Sequence, residues 1–124
     1  MGTHAVFVVK GHEHAAEDDN HFVFRHWDGY PSVIMPDLLK VLPFAWPLPR
    51  FEPDDFAAAI IRAWKEEGGG NIRTAKDEYV VSNFFYVIYP KNDQVWVEIR
   101  KSYLTAEPEW VGQLQAWTPP PKET

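Results

Sequence analysis

The chain has 124 residues, of which 45% are hydrophobic and 15% aromatic, and a formal charge of −6. Its length predicts one domain able to bury a stable core without staples, and its apolar content excludes intrinsic disorder. The lack of cysteine excludes disulfides, thiolate zinc sites and cysteine nucleophiles, while the acidic balance denies a general nucleic-acid binder the basic field that phosphates need.

Residues 5–10 form a β-branched, apolar run that predicts a strand buried on at least one face. The start of the chain lacks the basic n-region and long apolar run of a signal peptide. Residues 11–20, GHEHAAEDDN, predict a polar loop. Residues 21–27 predict a second strand, hairpinned to the first. Phe22, Phe24 and His26 share one face, and Val23, Arg25 and Trp27 the other.

A helical stripe follows at Ile34, Leu38, Val41 and Leu42. Pro36 places the regular start of this helix near itself, with residues 32–35 as a lead-in turn, because an interior proline costs about 3 kcal/mol. Pro43 stops it. Residues 43–53, PFAWPLPRFEP, predict a stiff connector packed over the core by Phe44, Trp46 and Phe51, or else one wall of a groove. Residues 54–67 make the clearest helix: Asp54 is the expected N-cap, and Phe56, Ala57, Ile60, Ile61 and Trp64 the buried stripe. The glycines at 68–70 end it and, coming after a helix rather than before one, do not form a phosphate loop.

The remainder reads as strand. Residues 71–76 and 79–81 are short candidates. Residues 83–89 are stronger, with Phe84, Tyr86 and Ile88 on one face and a turn at 90–93. Residues 94–101 alternate, Val95, Val97 and Ile99 inward and Trp96, Glu98 and Arg100 outward. Residues 111–117 predict an edge strand, and 118–124, TPPPKET, a mobile tail beyond a domain spanning 1–117. Together these predict an α+β fold: a mainly antiparallel sheet with two helices packed on one face. The expected core includes Phe7, Phe24, Leu38, Phe56, Ile60, Trp64, Val97 and Ile99. Nothing approaches the ~20 apolar residues of a membrane helix, and a cytoplasmic location is expected.

The densest chemistry lies at Arg25-His26-Trp27-Asp28-Gly29-Tyr30-Pro31. Read structurally, these residues form a corner: Gly29 permits positive φ, Asp28 accepts a backbone N–H two residues on, Pro31 holds Tyr30 extended, and Trp27 anchors in the core. Read functionally, His26, Asp28 and Tyr30 line a pocket, an imidazole beside a carboxylate being suited to proton transfer or recognition. A Ser32–His26–Asp28 triad has no supporting motif. The HWDGYP string, after a Phe-rich strand and before a leucine-bearing helix, resembles a group of small bacterial and phage-borne proteins sharing a strand-HWDGYP-helix opening. The resemblance implies a domain identity and no catalytic role.

His12 and His14, with Glu13, Glu17, Asp18, Asp19 and His21, are plausible ligands for a divalent ion, but no rigid frame to hold one is legible. No bound metal and no cofactor are expected. The favoured function is a non-enzymatic binding module for a small molecule or protein partner, using His26, Trp27, Asp28, Tyr30 and Trp46. The alternative is a small hydrolase or acid–base enzyme acting through His26, Asp28 and Tyr30.

Overall fold

A computed structural model describes residues 3–14, 20–67, 72–76, 82–101 and 107–119. Its strands are β1 (Ala5–Val9), β2 (His21–Arg25), β3 (Ile72–Ala75), β4 (Phe84–Lys91), β5 (Gln94–Arg100) and β6 (Trp110–Gln113), with helices α1 (Pro31–Leu39) and α2 (Pro53–Glu66). They build a six-stranded sheet in the order β3-β2-β1-β4-β5-β6. Every neighbouring pair is antiparallel except β1 with β4, where Ala5 lies opposite Phe84 and Val9 opposite Ile88. This is the expected α+β architecture.

Period-2 alternation decides which side chains meet the helices. Ala5, Phe7, Val9, Val23, Tyr86, Ile88, Val95, Val97 and Ile99 form one cluster with Ile34, Leu38, Phe56, Ile60 and Trp64. α2 packs on β1, β2 and β3. At the centre the Phe7 ring stacks on Tyr86 at 5.2 Å and meets the edge of Trp64 at 5.0 Å. The Trp64 indole N–H donates to the Asp37 carbonyl (3.1 Å), so the buried ring leaves no polar atom unpaired.

The opposite face of the sheet is apolar too. Val6, Val8, Phe85, Val87 and Tyr89 form a second buried cluster, with Phe22, Phe24 and Trp96 partly buried against it. Phe24 therefore does not belong to the helix-covered core: it pairs across the ladder with Val6, whose side chain points to the second face. Tyr89 is buried there, and its hydroxyl donates to Glu98 (2.9 Å), which also receives Arg100 (2.7 Å).

Both helices begin earlier than their sequence signals suggest. α1 starts at Pro31 and carries Pro36 inside it. The N–H that Pro36 lacks would have bonded the carbonyl of Ser32, an exposed residue, so the gap in the helical ladder falls on the solvent side. α2 starts at Pro53 with Glu52, not Asp54, as its N-cap. Proline at the first helical position loses no hydrogen bond, since that N–H has no partner in any helix. Asp54 instead accepts the N–H of Asp55 (2.9 Å), and Asp55 accepts that of Trp46 (2.9 Å), tying the connector to the helix.

The β4–β5 hairpin is tighter than expected. The strands run through Lys91 and Gln94, and Asn92 and Asp93 have φ of 52° and 59°. Two left-handed residues make the turn type whose twist matches paired strands. β6 ends at Gln113, where the expected edge strand gives way to a 3₁₀ turn, Leu114–Ala116, that packs against α1. The glycine stop at 68–70, the short strand at 79–81, the loop acids at 15–19 and the tail at 120–124 lie outside the described residues.

Candidate ligand-binding site

The corner after β2 is fixed mainly by backbone and by one buried charge. Asp28 is the left-handed residue, at φ 58°, and aspartate tolerates that region better than most side chains. The chain then doubles back, so that Gly29 N–H donates to the Thr3 carbonyl (2.8 Å). A Cβ on Gly29 would lie 2.7 Å from that oxygen and 2.9 Å from the His4 carbonyl carbon and oxygen. Glycine is thus required by close approach, and positive φ belongs to its neighbour. The Tyr86 hydroxyl closes the corner from below by donating to the Gly29 carbonyl (2.6 Å). Burial pushes this phenol well above its ordinary range, Arg25 opposing and Glu109 adding to the shift, so it remains a donor.

Arg25 is the only charged side chain buried among the described residues. Its Nε donates to the Trp27 carbonyl (2.9 Å) and Nη1 to Asp37 on α1 (3.0 Å), while its guanidinium lies 4.8 Å from the Trp64 ring centre. β2, the corner and α1 are therefore locked together. The Tyr30 carbonyl accepts from Val33 (2.9 Å) and Ile34 (2.8 Å) and so starts α1.

Of the residues expected to form the site, His26 is half-buried on the second face of the sheet, its ring 4.5 Å from that of His4 and 5.3 Å from Trp27. Trp27 is 50% exposed and is not a core anchor. Strand geometry stops at Arg25, so the alternation that would have turned Trp27 inward no longer applies. Asp28 is exposed, and among the described residues its carboxylate accepts no hydrogen bond, so it does not cap the turn as expected. Tyr30 is 48% exposed. No hydrogen bond links His26 to Asp28 or Ser32 among the described residues.

Trp46 stands apart from this group. It is exposed, with the Arg50 guanidinium stacked 3.4 Å from its ring centre. It lines a pocket of about 120 Å³ with Leu42, Pro47, Leu48, Phe51, Phe56 and Val95, which shares no residue with the corner. Among the described residues, His12, Glu13 and His14 belong to no cluster of three potential metal ligands; His12 Nδ1 accepts the His14 N–H, and Glu13 pairs with Lys91 (3.3 Å).

A larger pocket, of about 250 Å³, opens beside the corner on the helix-covered side of the sheet, lined by Pro31, Ile99, Glu109, Trp110, Trp117 and Thr118. Pro31 comes from the corner itself. The other walls come from β5 and the C-terminal segment. Both indoles line the pocket and are otherwise half-buried against the core. Gly112 shapes the wall: a Cβ there would lie 2.8 Å from the Trp110 ring, so only a residue without a side chain lets that indole fold back along β6. Glu109 is held in place by its own N–H, which donates to the Ile99 carbonyl (2.6 Å).

Sequence reasoning missed Glu109, Trp110, Gly112 and Trp117. The available signal was a glycine two residues after a tryptophan in an edge strand, a spacing that puts both on one face. No protein-family model, curated protein or solved structure matches this chain.

Proposed function

We propose that this protein is a binding module for a small molecule, and that the pocket between Pro31, Trp110 and Trp117 receives it. The observation that carries this reading is the pocket's make-up: two tryptophans and a proline as walls, with Glu109 and Thr118 as the polar lining among the described residues. Apolar walls with a few placed polar groups are the usual composition of ligand sites. Size bounds the guest. A cavity of about 150 Å³ holds benzene, so about 250 Å³ suits a compact molecule rather than a dinucleotide. The corner contributes a rigid wall rather than contact chemistry, because Arg25, Asp37 and Tyr86 spend their polar atoms on the fold. An acid–base enzyme working through His26, Asp28 and Tyr30 draws less support, since none of the three lines this pocket.

A fragment library screened by the indole N–H resonances of the tryptophans tests the reading. Hits are expected to shift Trp110 and Trp117 and to disappear with Gly112→Ala, which displaces the Trp110 ring while leaving the sheet folded. A screen with no hit at these two indoles, or with hits confined to Trp46, would overturn it.

A further inference from the structure

We propose that the guest of this pocket is a small organic cation, a compact alkylammonium whose charge meets Glu109 and whose apolar surface lies against Trp110 and Trp117; this rests on the pocket being a ligand site. Among the described residues the lining contains one ionisable group, Glu109, and it is acidic. An anionic guest would meet a carboxylate and the electron-rich faces of two indoles. A cation is attracted by both, because the ring quadrupole presents negative charge at its face. A neutral guest would gain from the walls, and from the carboxylate at most a hydrogen bond without the charge attraction.

The charges around the pocket favour the same sign. Arg25, the buried cation of the corner, does not line the pocket and is neutralised by Asp37 at 3.0 Å. The chain as a whole carries −6, which raises the local concentration of cations at its surface. Among the described residues the Glu109 carboxylate pairs with the Lys101 ammonium at 3.6 Å, their side chains 45% and 65% exposed respectively. Exposed pairs of this kind are weak and screened by salt. Lys101 does not itself line the pocket, and its hold on Glu109 is loose, so a ligand ammonium can compete with it for the carboxylate.

The probe is choline, titrated against the full chain and read by the indole N–H resonances of Trp110 and Trp117, beside its neutral isostere in which a tert-butyl group replaces the trimethylammonium. Choline is expected to bind at both indoles, and the isostere at least about fivefold more weakly, the difference expected from a single charge contact even at high dielectric. Glu109→Gln should weaken choline by a similar factor and leave the isostere unchanged. Lys101→Gln should tighten choline, which a merely structural role for Glu109 does not predict. Equal binding of choline and isostere, or choline affinity indifferent to Glu109→Gln, overturns the cation and leaves the pocket standing as a ligand site. Absence of any choline-induced shift also overturns the cation, and whether the pocket binds anything is then decided by the fragment screen.

Discussion

The buried Arg25–Asp37 pair makes an asymmetric prediction. Arg25 is 4% exposed and holds Asp37, the Trp27 carbonyl and the face of Trp64. Asp37 is less enclosed, its side chain 19% exposed, and it has a second cation in Lys40 at 3.7 Å. Asp37→Ala leaves a guanidinium in the core with a carbonyl and an indole but no counter-charge, and breaking a buried pair in this way costs about 3–5 kcal/mol. Arg25→Met keeps an apolar stem in the same space and leaves a carboxylate that water and Lys40 still reach, so its cost is about 1–3 kcal/mol. The double variant should resemble Arg25→Met alone, so the coupling equals the whole cost of Asp37→Ala, about 3–5 kcal/mol. Urea denaturation followed by circular dichroism measures all three, and equal slopes on denaturant would show that the unfolded states compare fairly. If Arg25→Met is the more damaging change, or if the two costs simply add, the account of this pair is wrong.

Two further predictions concern the corner. Gly29→Ala should cost about 2–4 kcal/mol, since its Cβ meets backbone that must move and both hydrogen bonds of Gly29 lengthen; thermal denaturation indistinguishable from the parent would refute the close-approach argument. Tyr86 predicts alkaline instability. Its folded pKa lies above the ordinary 10.0, chiefly through burial. As pH rises past that value, the unfolded chain loses the proton that the folded chain keeps, and stability falls by about 1.4 kcal/mol per pH unit from this group. Tyr86→Phe should be less stable at neutral pH, for want of the Gly29 bond, yet decline less steeply above about pH 10; parallel urea midpoints for the two proteins would exclude Tyr86 as the cause.

Elements whose pattern is local were legible in the chain. Val95, Val97 and Ile99 alternate because one face of β5 is buried under helices, and α2 announces itself through Phe56, Ile60 and Trp64 at helical spacing. The parallel β1–β4 pair was not legible: continuous burial of β1 marks a strand covered on both faces, but nothing local says which strand lies beside it. Phe24 was placed on the correct side of β2 yet in the wrong cluster, because a sheet with two apolar faces offers a phenylalanine a home on either. The corner drew attention through its residue types, while the pocket beside it depends on Pro31 meeting Trp110 and Trp117 from the far end of the chain. That meeting is set by sheet order, which no local spacing encodes.

β1 also has a temporal consequence. Its five residues are buried from end to end, and its partners are the adjacent hairpin strand β2 and, on its other side, β4. A chain growing from its N-terminus can form the β1–β2 hairpin at once, but that hairpin presents an apolar, unpaired edge until residues 84–91 have been made. Closure of the sheet by a pair so distant in the chain sets a late folding step, and until then the edge of β1 can template pairing with another copy. Ribosome-bound chains ending before β4 should accordingly be protease-sensitive and prone to associate, with protection arriving as one event once β4 can reach β1.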